Sequence, residues 1–131
     1  MSESNNGKLK AEEWFEKAKH DFESARLIIE NEGYPDISAV LLQQAAEKYL
    51  KGYLISRGWK LVKTHDLKLL IDEAVKYDSG FGDFYDLADE LTQCYISDKY
   101  PPSTTDVTSG EAKKYCDAVQ AIISLIGKGK E

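Results

Sequence analysis

The sequence is poor in the side chains on which much of enzyme chemistry depends. Its 131 residues include two arginines, Arg26 and Arg57, and two histidines, His20 and His65. Sites built on an arginine fork, a histidine cluster or an Arg–His pair therefore have very few residues to draw on. His20 follows Glu16 at a helical spacing of four, but a di-iron bundle needs repeated Glu-x-x-His pairs, which are absent. We therefore expect no metal site and no cofactor.

Other absences exclude whole classes of protein. No apolar run approaches the roughly 18–20 residues of a membrane span, and the N-terminus has no apolar stretch of signal-peptide type. We expect a cytoplasmic protein without a membrane role. Cys94 and Cys116 are isolated and have no CxxC spacing, which favours two reduced, buried thiols. A formal net charge of -6 argues against general coating of nucleic acid, although it leaves room for a local basic patch.

The composition that remains indicates one globular domain. With 42% hydrophobic and 31% charged residues, the chain is ordinary for a folded protein and long enough to bury its own core. We predict a disordered tail over 1–8, a single domain over 9–127 and a polar tail over 128–131.

Apolar residues recur at helical spacing and predict an all-α fold. We expect an antiparallel up-and-down bundle of four long helices plus one short helix, because the connections are short. The predicted helices cover about 9–31, 37–56, 65–77, 83–97 and 109–126. The second is apolar on more than one face, which predicts that it lies at the centre of the bundle.

Turn and capping residues mark the ends of these helices. Asp36 and Thr64 are predicted to cap the second and third helices, and Thr108 with Glu111 forms a capping box for the last. The segment from Gly33 to Pro35 ends the first helix, Arg57-Gly58 the second and Gly127 the last.

Charged residues are segregated along the chain. Five basic and no acidic side chains occur over 48–63, whereas six acidic and no basic ones occur over 78–98. One interpretation is two solvated faces. The other is a dipolar protein with one end suited to phosphates or acidic partners.

Several short segments together resemble one known family. Residues 43–51 read QQAAEKYLK, residues 64–67 read THDL, and residues 99–101 read KYP. The first helix carries a W-x3-A-x2-D-x3-A pattern formed by Trp14, Ala18, Asp21 and Ala25. In this order on a helical pattern, the segments are similar to those of HEPN domains over about residues 9–126.

The resemblance implies a bundle of about five helices that is usually a homodimer. It also implies a place beside a minimal nucleotidyltransferase, in a two-component toxin–antitoxin or nucleotide-binding system. Many HEPN proteins are metal-independent ribonucleases that pair an Arg with a His roughly four to six residues later, as phosphate holder and general acid or base. Here Lys99 stands where the family places the Arg, and no histidine follows it. We therefore assign no catalytic residue.

Two groups of residues are candidates for nucleotide or phosphate binding. Gln44, Lys48 and Lys51 share one stripe of the second helix, where the lysines could attract phosphate. The turn of Lys99, Tyr100 and Pro101 could add a stacking surface beside a charge. The alternatives are a solvated stripe, with Lys51 paired to Glu47, and a Tyr-Pro that only stops the helix.

Five further residues of the family pattern are predicted to be structural: Trp14, Asp21, Thr64, His65 and Asp66. In this interpretation Thr64 caps the third helix, Asp66 lies near its positive end and His65 hydrogen-bonds locally.

The leading functional hypothesis is a non-catalytic HEPN module that binds a nucleotidyltransferase partner and also a nucleotide or RNA. One alternative is a metal-independent HEPN ribonuclease with a degenerate site, in which Lys99 replaces the Arg and His65 acts as acid or base. The other is a helical dimer with a structural role alone.

Overall fold

The chain is all-helical, as predicted. The computed structural model describes residues 3–60, 63–99 and 106–129, with side chains from Lys10 onward and without that of Lys99. Its helices are α1 (Glu3–Glu30), α2 (Pro35–Ser56), α3 (Leu67–Val75), a 3-10 helix (Ser79–Phe84), α4 (Tyr85–Lys99) and α5 (Ser109–Lys128). No strand occurs in these described ranges. The up-and-down order of the bundle stays a prediction.

Helix α2 lies at the centre of the molecule, which confirms the prediction from its apolar pattern. It contacts α1, α3, α4 and α5, and most of its residues are buried, apart from one partly exposed stripe that includes Gln44 and Lys48. Leu42, Leu50 and Leu54 are fully buried there. A polar side chain on the buried sides of this helix is costly unless it finds a partner inside the protein.

The contact between α1 and α2 is the most extensive in the described part of the chain. Small residues allow it: Ala18 and Ala25 of α1 are fully buried, and so is Ala45 of α2. A Cβ atom added to Gly52 would lie 2.7 Å from the ring of Phe15, so only glycine fits at this crossing. Close approach of two helices requires such small side chains.

The predicted N-caps of α2 and α3 are each wrong by two residues. The N-cap of α2 is Tyr34, followed by Pro35, whose fixed φ and missing N–H suit the first helical position. Asp36 lies in the first turn. The N-cap of α3 is Asp66, whose side chain accepts from the backbone N–H groups of two later residues. Thr64 instead accepts from the N–H of Asp66 and stabilises the turn before the helix.

The left-handed residue that follows α1 is a glutamate and not a glycine. Glu32 has a φ of 57°, while the N–H of Gly33 donates to the carbonyl of Ile28. Glu32 therefore occupies the left-handed position of a Schellman motif. Gly33 is needed for space, since a Cβ atom there would lie 2.9 Å from Ile28 Cγ2.

Other boundaries shift outward. Helix α1 begins at Glu3, inside the predicted disordered tail. Once a helix has formed, each further residue that becomes helical adds one backbone hydrogen bond, so a helix readily extends beyond its packed part. Helix α5 continues through Gly127 to Lys128, with Gly129 as its C-cap. The capping box of Thr108 and Glu111 is confirmed. None of the described helices is long and apolar enough to cross a membrane.

Candidate functional site

A row of polar side chains is buried on α2, in the segment 43–51. Gln43, Glu47 and Lys51 are spaced four residues apart and are each at most 5% exposed. Residues at this spacing lie above one another on the same side of a helix. Burial of three polar groups side by side is costly unless each is hydrogen-bonded, which makes this row the first candidate for a function.

Glu47 is the centre of the row. Its Oε1 atom accepts a hydrogen bond from Nζ of Lys51 at 3.0 Å and lies 2.7 Å from Nδ1 of His65. The same Nζ lies 5.2 Å from the ring centre of Trp14, a distance at which a cation is attracted to the face of the ring. One carboxylate oxygen thus joins α2, the segment before α3 and, through Lys51, helix α1. We name Trp14, Glu47, Lys51 and His65 the Glu47 cluster.

His65 is the exposed member of the Glu47 cluster. Its side chain is 78% exposed, whereas those of Glu47 and Lys51 are 7% exposed. Nδ1 of His65 is the ring nitrogen that faces the Glu47 carboxylate, and Nε2 is left out of this contact. A buried carboxylate that fixes a solvent-facing imidazole in this way is an arrangement found where a histidine moves a proton.

Gln43 is the unsatisfied member of the row. Its Oε1 atom is buried and has no hydrogen-bond partner among the described residues. A buried acceptor without a hydrogen bond lowers the free energy of unfolding by about 1–3 kcal/mol.

The predicted phosphate stripe of Gln44, Lys48 and Lys51 is only partly open to solvent. Gln44 and Lys48 are half-buried, and Lys51 is buried. Lys48 donates to Oδ2 of Asp21 on α1 at 2.6 Å. Each of the two lysines therefore already has a carboxylate partner. The predicted pairing of Lys51 with Glu47 is present, but the pair is buried and does not lie on a solvated stripe.

The turn at 99–101 is the other half of the predicted phosphate site. Tyr100, Pro101 and the side chain of Lys99 lie outside the described residues. The phosphate-binding role of this turn, like that of the stripe, stays a prediction.

The two arginines and two histidines do not meet in the structure. Arg26 pairs with Glu30, and His20 with Glu16, both on the exposed side of α1. The guanidinium group of Arg57 lies over the rings of Tyr53 and Tyr77. Among the described residues, no three His, Cys, Asp or Glu side chains are grouped so as to hold a metal ion.

The comparisons with known proteins agree with the helical architecture and with the motifs. The family model described as HEPN domain matches residues 11–129. The chain belongs to the HEPN family. The crystal structure of TT1696 from Thermus thermophilus has the same fold, with a TM-score of 0.69 and 24% sequence identity. The similarity covers 91% of this chain and 97% of that chain. No curated protein matches this sequence.

Both cysteines of this HEPN domain are free and buried. Burial raises the pKa of the Cys94 thiol, and the nearby Glu111 carboxylate raises it further. Burial also raises the pKa of Cys116. Since the thiolate is the reactive form, neither thiol is suited to nucleophilic or redox chemistry.

Sequence reasoning missed the importance of Glu47 and Gln43 in this HEPN domain. Both lie in the QQAAEKYLK segment, but Glu47 was assigned only as a partner of Lys51. A usable signal was present, since an acid and an amide occur on a helix whose other positions are largely apolar. The contact of Glu47 with His65 depends on the path of the segment between α2 and α3, which brings His65 back to α2. Helical periodicity gives no information about that path.

Proposed function

We propose that this HEPN domain is a non-catalytic module of a two-component system and binds a minimal nucleotidyltransferase. The observation that supports the proposal is that both arginines are engaged by other side chains, away from either histidine. Arg26 is engaged by Glu30, Arg57 lies on two tyrosine rings, and His65 is bound to a carboxylate. Neither arginine has a histidine beside it to share a scissile phosphate, so the ribonuclease pair of the family has no equivalent.

The experiment is co-expression with the product of the adjacent gene, which the proposal expects to be a minimal nucleotidyltransferase. We expect the two proteins to co-purify through affinity and size-exclusion steps, and the purified domain to leave RNA intact. Failure to co-purify when both proteins are soluble would contradict the partner assignment. RNA cleavage that survives repurification and is lost on substitution of His65 would contradict the non-catalytic assignment.

We also propose that the domain is a homodimer of antiparallel helical bundles. The support is the family membership together with exposed apolar side chains at the end of the α1–α2 hairpin, where Leu27 and Tyr34 are 59% and 79% exposed. Large apolar side chains in the open are typical of interaction surfaces. Light scattering on the purified chain tests this, and a monomer at micromolar concentration would contradict it.

Nucleotide or phosphate binding by Gln44, Lys48, Lys51, Lys99, Tyr100 and Pro101 is part of the same proposal. For Lys48 the structure offers a sharp test, because phosphate has to compete with Asp21. If the proposal is right, Asp21→Asn frees Lys48 and strengthens binding of a nucleotide, as measured by NMR titration. Weaker or unchanged binding in this variant would remove Lys48 from the site.

A second candidate function is RNA cleavage by a degenerate site. The observation that favours it is the 2.7 Å contact between Glu47 and His65, which prepares an exposed imidazole for proton transfer. The assay compares wild type with His65→Ala and Lys99→Ala. Loss of a reproducible cleavage in both variants would favour this candidate over the leading one.

A further inference from the structure

An open groove runs between α4 and α5 on a different part of the molecule from the Glu47 cluster. Its volume is about 530 Å³. Helices α4 and α5 contact each other less than any other touching pair of described elements. The groove between the two helices is therefore open to solvent.

The floor of the groove is apolar and its rim is acidic. Phe84, Leu87 and Tyr115 belong to the lining, and Leu87 and Tyr115 are buried. The carboxylates of the lining are Asp83, Asp86, Asp89 and Glu90. Lys114 is the one basic residue of the lining. An apolar floor with a charged rim is the pattern of a groove that receives an amphipathic helix.

Local helix chemistry explains only part of this charge. Asp86 lies in the first turn of α4, where a carboxylate is favoured by the helix dipole. Asp89 and Glu90 lie beyond that turn, are exposed and form no ion pair within the described residues. Carboxylates three or four residues apart on a helix repel each other, and no basic residue occurs anywhere over 78–98.

Tyr115 lies at the floor of the groove. Burial is the main cause that raises the pKa of Tyr115, and Cys94, Glu90 and Glu111 raise it further. Of these three residues, only Glu90 lines the groove.

We propose that the α4–α5 groove is a docking site for a basic amphipathic helix of a partner protein. The apolar side of such a helix would cover Phe84 and Ala118, which are partly exposed, and its lysines or arginines would pair with Asp89 and Glu90. Charge complementarity of this kind speeds association and selects the partner. The proposal rests on the proposed function, which supplies a protein partner. It adds which surface of this domain the partner contacts and the chemistry of that contact.

The direct test uses a peptide of leucine and lysine, about 14 residues long, with the leucines on one helical face. Its binding is measured by fluorescence anisotropy, and its position by NMR shifts of the backbone amides. We expect shifts at residues 83–90 and 114–118, and weaker binding when salt rises from about 50 to about 300 mM. The matched probe replaces every lysine by glutamate and should not bind.

The matched variants are Asp89→Asn/Glu90→Gln in the groove and Glu12→Gln/Glu13→Gln on α1, where two exposed acids are likewise adjacent. We expect the groove variant to weaken peptide binding by about fivefold or more and the α1 variant to leave it unchanged. Equal weakening in both variants, shifts centred elsewhere or equal binding of the glutamate peptide would overturn the proposal.

The same two variants separate this proposal from the proposed function. If wild type captures the nucleotidyltransferase and the groove variant does not, both proposals are supported. If both variants capture it equally, the groove proposal fails and the proposed function stands. If wild type captures no nucleotidyltransferase, the proposed function fails, and the peptide experiment decides about the groove.

Discussion

His65 and Glu47 are 18 positions apart in the chain, yet Nδ1 of one lies 2.7 Å from Oε1 of the other. This contact holds the segment before α3 against the central helix. Glu47 is also bound by the buried Lys51, so each charge of this pair has its counter-charge inside the protein. The Glu47 cluster is thus a structural junction with one exposed imidazole at its surface.

The buried pair of Glu47 and Lys51 should be sensitive to loss of either partner. We expect Glu47→Gln to lower the free energy of unfolding by about 2–4 kcal/mol, because it leaves an ammonium group buried without its counter-charge. Replacing both residues by leucine should cost much less than the single change. Urea unfolding measures each value, and Glu30→Gln at the exposed pair of Arg26 and Glu30 is the control. A Glu47→Gln cost no larger than this control would contradict the interpretation.

The ion pair of Asp21 and Lys48 should stabilise the contact of α1 with α2 modestly. Its side chains are 18% and 29% exposed, whereas those of Arg26 and Glu30 are more than half exposed. A double-mutant cycle to alanine should give a coupling of about 1 kcal/mol for the first pair and close to zero for the second. Equal couplings would show that partial burial has no influence here.

Two glycines in helices should respond to alanine with opposite sign. At Gly52 a Cβ atom would lie 2.7 Å from the ring of Phe15 and 3.2 Å from the carbonyl oxygen of Ala11, so we expect a loss of about 1–3 kcal/mol. At Gly127 no atom lies within 4 Å of the added Cβ, and alanine should stabilise α5 by up to about 1 kcal/mol. Thermal unfolding of the two variants compares them directly. Stabilisation by Gly52→Ala would mean that α1 moves aside at little cost.

The stability of the domain should fall at high pH through Tyr115. Burial raises the pKa of its hydroxyl from the ordinary value near 10 to about 12. The folded state therefore holds this proton more tightly than the unfolded state does. Its contribution to stability is complete below pH 10 and is lost as the pH rises towards 12. Urea midpoints over this range, compared with Tyr115→Phe, test the assignment, and an equally steep fall in the variant would refute it.

Both cysteines should react slowly in the folded protein. Burial raises the pKa of Cys94 and Cys116, so little thiolate is present at pH 8. We expect slow reaction of both thiols with a disulfide reagent in buffer and fast reaction in denaturing urea. Fast reaction of either thiol in buffer would show that its part of the core opens readily.

Much of the fold was available from the sequence. Apolar spacing predicted five α-helices in the correct order, and the breadth of the apolar surface of the second one predicted its central place. The capping box of Thr108 and Glu111 was readable because both partners lie within one turn. The segment QQAAEKYLK and its companions were enough to indicate the HEPN family. All of these signals are local in the chain.

Tertiary structure decided what depends on residues far apart. The N-caps are Tyr34 and Asp66 because of the path of the chain before each helix. The sequence alone could not select them, since neighbouring residues are also able to cap a helix. The partners of Lys48 and of His65 lie on other elements, so periodicity could assign the stripe but not its ion pairs. The groove between α4 and α5 exists because two helices fail to close against each other. The sequence determined which side chains are polar and in which helix they occur. Packing decided which of them are already engaged and which remain open to a partner.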